Sequence, residues 1–141
     1  ICVVVLVAVM TLLNQLITWA AISAAAALKP AVAPTGVVDV SKVLLLNGEI
    51  VAAALLMIAI QLWMALRFSS FVPALALGIG GTFFSVVATS AKQGVFFPWQ
   101  MPVNMMARDA WRVETALALG GGLGLVALAL AIAHLARREV L

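Results

Sequence analysis

The chain has 141 residues, of which 66% are hydrophobic and 9% charged, and its net charge is +3. A soluble domain carries about 25% charged residues, and none of this size has interior enough to hide so much apolar surface, so the composition excludes an ordinary soluble domain and points to a bilayer as the solvent. The eight Lys and Arg residues stand singly or in pairs at the ends of apolar runs, which excludes a nucleic-acid surface built on a basic patch.

A transmembrane helix needs roughly 20 mostly apolar residues. Four runs meet that measure, at about 1–28, 43–66, 71–91 and 115–136. The first opens ICVVVLVAVM, apolar from the start and without the basic lead of a signal peptide. It reads as the interior of a membrane helix in a longer protein truncated at its N-terminus. Cys2, the only cysteine, reads as a small buried apolar residue. Thr11, Asn14, Gln15 and Thr18 interrupt this run, and Asn14 and Thr18 share a helical face suited to interhelical hydrogen bonds. The segment KPAVAPTGVVDVSK (29–42), with two prolines and a glycine, reads as a turn.

The second run carries Asn47, Gly48 and Glu49, with Gln61 near its end. Glu49 lies roughly 10 Å along the helix from Lys42. An ionisable group there either faces a cavity, a partner helix or a substrate path, or is a structural glutamate bonded to a neighbour. RFSS (67–70) is so short that the second and third runs must form a tight antiparallel hairpin. GIGGT (78–82) in the third run and GGGLG (120–124) in the fourth lack the preceding strand and following GK[ST] of a phosphate loop. They read as places where helix backbones approach closely, with a hinge as the alternative.

The long link between the last two runs holds FFPWQMP (96–102), two prolines four apart among aromatics. From Pro102 the text PVNMMARDAWRVE predicts an amphipathic turn or two. Val103, Met106, Ala107 and Ala110 fall on one face, and Asn104, Arg108 and Arg112 on another. Asp109 and Arg112 are spaced to pair. This stretch lies in the headgroup plane with Trp99 and Trp111 as anchors, or is a solvated helix start. His134, near the exit of the last run, has no catalytic partner in the sequence. No HExxH, paired aspartates or Cys/His cluster occurs, so neither an enzyme nor a metal site is expected.

QLWMALRFSSFVPALALGIGGTFF (61–84), followed by FFPWQMP (96–102), resembles the permease subunits of ABC-2 type transporters, above all the bacterial lantibiotic-immunity and bacitracin-type exporter permeases. The specific part covers 61–102, under a third of the chain. The resemblance implies an all-α membrane protein. The chain would be a bundle of four transmembrane helices, spans three to six of a six-span permease, with a short amphipathic or re-entrant element before the last. It implies an ATP-driven exporter of an amphipathic peptide or lipid-like substrate, in a bacterial plasma membrane with a cytoplasmic C-terminus. ATP and Mg would sit on a separate ATPase partner, a second permease copy or paralogue would complete the dimer, and this chain would hold no cofactor. Asn14, Asn47 and Glu49 become candidates for the substrate path. Arg67, Phe68 and Ser69 become candidates for coupling to the ATPase. Phe97, Pro98, Trp99 and Pro102 would form an external link that re-enters the membrane and is packed there.

The charges disagree with that orientation. Lys29, Lys42, Lys92, Arg108 and Arg112 would lie outside, against Arg67, Arg137 and Arg138 inside, and the positive-inside rule favours the reverse. Two other readings stay open, a proton-coupled carrier using Glu49 and a structural subunit of a membrane complex.

Overall fold

The computed structural model of the chain describes residues 2–32 and 39–138, and among the described residues every element is helical. An apolar run in lipid must bond its own backbone, and a helix does so within one segment. The helices are α1 (Cys2–Leu28), α2 (Val40–Arg67), α3 (Val72–Ala88), α4 (Met101–Asn104), α5 (Ala110–Leu117) and α6 (Gly124–Arg138). Between α5 and α6 the helix continues as a π-helical stretch, Ala118–Leu123. Short 3-10 turns occupy Pro30–Val32 and Lys92–Phe96.

Three segments, Val5–Leu28, Val40–Arg67 and Ala110–Ala136, are long and apolar enough to cross a membrane. The expected fourth, 71–91, forms a helix of only 17 residues, about 25 Å long against a hydrocarbon core of about 30 Å. It stops at Ala88 because Gly94 folds back so closely on the Ala88 carbonyl that a Cβ there would collide with it.

Two starts also differ from the sequence reading. Helix α2 begins at Val40, not 43, because the Asp39 carboxylate accepts the backbone N–H groups of Ser41 (3.1 Å) and Lys42 (3.4 Å) and so caps the first turn. Helix α5 begins at Ala110, not 115. Asp109 is extended, and its carbonyl accepts the N–H of Arg112 at 3.0 Å. Arg112 and Glu114 thus belong to the helix rather than to the link. Pro34 and Gly36 of the first turn, and the end of the tail, 139–141, lie outside the described residues.

The chain divides into two compact units, Ile1–Asn47 and Gly48–Leu141. In the first, the Asn47 amide donates to Gln15 Oε1 at 3.2 Å, linking α2 to α1. Thr11 and Thr18 instead donate to carbonyls of their own helix, those of Val7 and Asn14, at 2.8 Å. Gln15 therefore makes the interhelical bond expected of the Asn14–Thr18 face.

In the second unit α2 and α3 form the expected hairpin. With its amide oriented so that both ends are paired, Gln61 donates to the Ala74 carbonyl and accepts from the Gly78 N–H, each at 3.0 Å. A Cβ on Gly78 would lie 2.7 Å from the end of the Gln61 side-chain amide, so the glycine admits the amide. The last helical run lies parallel to α2. Gly120 meets Ala53, Gly124 meets Leu55 and Leu56, and Leu135 and His134 share a small pocket with Arg67 at the far end. Ala53, Met101, Met105 and Ala116 form the buried cluster, flanked by Ile50, Leu56 and Val113.

Candidate functional site

The segment from Ala88 to Ala107 is the part of the molecule that its composition explains least, a 3-10 turn and one short helix joined by bends between apolar helices. Its carbonyls and N–H groups nevertheless find one another. The Ala88 carbonyl accepts from Ala91, Ala91 from Gly94, Gly94 from Phe97 and Phe97 from Gln100, at 2.8–3.1 Å. From there Gln100 accepts from Asn104, Val103 from Met106 and Asn104 from Ala107. Successive tight turns thus pair much of the backbone between the long helices. Pro102 stands in the first turn of α4, where its missing N–H has no helical partner to lose.

The side chains fix the link beside α3. Phe97 stacks on Trp99 at 5.4 Å and meets Phe84 edge-on at 4.9 Å. The Trp99 ring rests on Gly81, where a Cβ would overlap it. Gly81 lies seven residues before the end of α3, so the link reaches back about 10 Å along that helix. Trp99 is thus half-buried, with its ring against α3. Trp111 and Met106 remain exposed. The amphipathic face expected from Val103 to Ala110 is also broken, since α4 ends at Asn104 and the chain turns before α5.

A ladder of polar side chains runs through the same element. Gln100, 3% exposed, donates its amide to the Ser85 carbonyl and to the Thr89 hydroxyl, the latter at 2.6 Å. Asn104, 4% exposed, donates to the Gln100 carbonyl at 2.9 Å and accepts from the Arg112 guanidinium at 3.4 Å. Arg112 lies 3.9 Å from the Asp109 carboxylate, the pairing expected from their spacing, and 5.5 Å from the Trp111 ring centroid. Among the described residues no buried side-chain nitrogen or oxygen lacks a partner. A ladder so fully paired holds these segments in one arrangement. Gln100 and Asn104 escaped the sequence reading as site residues. The available signal was two amides flanking a proline in an otherwise apolar link.

The path candidates have different surroundings. Asn14 is exposed, and its carbonyl takes the Thr18 hydroxyl. Asn47 is engaged twice, with Gln15 and with the Val43 carbonyl at 2.9 Å. Glu49 is half-buried and, two residues on, leaves the helix about 200° around from Asn47. The coupling candidates Arg67, Phe68 and Ser69 are all exposed at the turn between α2 and α3. Phe97, Pro98, Trp99 and Pro102 are half-buried within the packed link. An open groove of about 630 Å³ runs along α3, lined by Gln61, Ala74, Gly78, Thr82 and the rings of Phe71 and Phe83. Among the described residues no group of three His, Cys, Asp or Glu is placed to hold a metal ion. In comparisons with known proteins, no family model, no curated protein and no solved structure matches the chain.

Proposed function

We propose that this chain is a membrane-embedded permease subunit of an ATP-driven exporter of the ABC-2 kind. The observation that carries the reading is the link. The helix-breaking FFPWQMP segment folds as a packed element that turns back along α3 and bonds its backbone at successive turns. A re-entrant element ahead of the last span needs those properties. The resemblance over 61–102 points the same way.

On this reading α3 also spans the membrane, as the third of the chain's four spans. Its 17 residues are supplemented by the link, which covers the same face. The chain works in a bacterial plasma membrane with its C-terminus in the cytoplasm. The exposed turn at Arg67, Phe68 and Ser69 receives the ATPase subunit. A second permease completes the dimer, and an amphipathic peptide or lipid-like molecule moves past the face bearing Glu49. ATP hydrolysis belongs to the partner, which shifts the dimer between two states by binding them unequally.

The test is purification of the full-length protein in mild detergent, with and without nucleotide, and mass spectrometry of what accompanies it. A stoichiometric ATP-binding cassette protein, lost on Arg67→Glu, is the expected result. Its absence across several detergents would overturn the exporter reading and leave Glu49→Gln as the experiment, in a proton-driven transport assay.

A further inference from the structure

The π-helical stretch Ala118–Leu123 carries an inference that does not depend on what the protein transports. A π turn holds one residue more than the α turn it replaces. Ala116 points into the core against Ala53, Met101 and Met105. In an uninterrupted α-helix, the residue seven places on, Leu123, would return to within about 20° of that direction, and Gly124 would stand about 80° away. The structure has the opposite arrangement. Gly124 is buried against Leu55 and Leu56, and Leu123 is 51% exposed. The extra residue has rotated α6 so that the small seam of Gly124, Ala127 and Ala131 faces α2. Leu123, Val126 and Leu130 are turned outward, each more than half exposed.

We propose that this stretch is a register switch. Absorbing the extra residue into α geometry would turn α6 by about 100° and bring Leu123, Val126 and Leu130 against α2. The larger side chains would force the two helices apart. The glycines divide their work accordingly. Gly120 and Gly124 have no room for a Cβ, because Ala53 and Leu55–Leu56 lie against them. Gly122 has nothing within 4 Å, and Gly121 only an ordinary contact at 3.7 Å. Close packing accounts for the first two. The other two are not needed for packing, and their value is a backbone that passes cheaply between turn types. The two seams provide what a bistable element needs, two discrete packings of one helix on one neighbour.

Cysteine cross-linking in membranes, in a Cys2→Ala background, tests this directly. The pair Ala59→Cys with Ala127→Cys reports the small seam, Ala59→Cys with Val126→Cys the large one, and Ala59→Cys with Ala129→Cys is the outward-facing control. Both seam pairs are expected to cross-link above the control. Deletion of Gly122 removes the extra residue while leaving the small seam on α2. It should preserve the first cross-link and reduce the second by about tenfold or more. Retention of the first shows that the deleted protein is folded. Should it not fold, Leu123→Trp, which only the large-seam register would bury, must give the same loss. A second cross-link no faster than the control, or one that both variants leave unchanged, overturns the proposal.

Discussion

Single residues set the boundaries of this fold, and two of them make measurable commitments. Asp39 caps α2, and the Ser41 hydroxyl, followed by the Lys42 N–H, holds its carboxyl below the usual carboxylate range. Because the folded value is the lower one, the cap contributes fully above the ordinary carboxylate value and is lost as pH falls through the folded value. Carbon-detected NMR of labelled Asp39 in micelles should show that depressed midpoint. Asp39→Ala should speed amide exchange at Ser41 and Lys42, while Asp39→Asn, which still accepts, should not. Gly81 makes the second commitment. Gly81→Ala drives a methyl into the Trp99 ring and should cost about 1–3 kcal/mol in detergent unfolding. Gly80→Ala, with open space around it, should stay within about 0.5 kcal/mol. Adding Trp99→Ala should remove most of the Gly81→Ala penalty, a non-additivity that identifies the contact.

At the scale of elements, the link decides how the second unit closes. Gln100→Leu removes both amide bonds to α3 and should cost about 1–3 kcal/mol. The link would then open more often, and tryptic cleavage at exposed Arg108 should quicken by roughly five- to 150-fold. Unchanged cleavage would mean the ladder does not hold the link shut. Much of this architecture was legible in the chain. Composition gave the solvent, the length of the apolar runs gave the long helices, and RFSS gave the hairpin. The Asp39 cap was present as D-V-S-K and passed over because the eye stops an apolar run at its last charge, Lys42. Other features were not written locally. The end of α3 depends on Gly94 meeting a carbonyl six residues back. The inward turn of Trp99 depends on a glycine 18 positions earlier. The π stretch depends on whether Leu123 or Gly124 meets α2, which no period within the helix itself reveals.

At the scale of the molecule, the parallel course of α2 and the last helical run puts Arg67 and His134 at one end of the second unit. The link with Lys92 and Arg108, and Arg112 in the first turn of α5, lie at the other. The proposed orientation places the Arg67 end in the cytoplasm, against the count of basic residues. Impermeant maleimide on intact cells should therefore label Met106→Cys, and should reach Phe68→Cys only after the membrane is permeabilised. The reverse pattern would invert the orientation and move the proposed ATPase contact to the link. The ladder bears on the charge count. Arg112 is tied to Asn104 and Asp109, so it is already engaged by the protein and is less available to follow the electrostatics of the two membrane faces.

The seat of the link has a consequence for biosynthesis. Met101 and Met105 are buried against Ala53, made long before them, and against Ala116, made after them. A growing chain that has emerged as far as Asn104 holds only half of that seat. Its Asn104 amide lacks Arg112, and its backbone turns lack the wall of α5. The link cannot be completed when it leaves the ribosome; it waits for α5 to arrive, so the insertion of the helical run that follows the link is also the step that closes this seat.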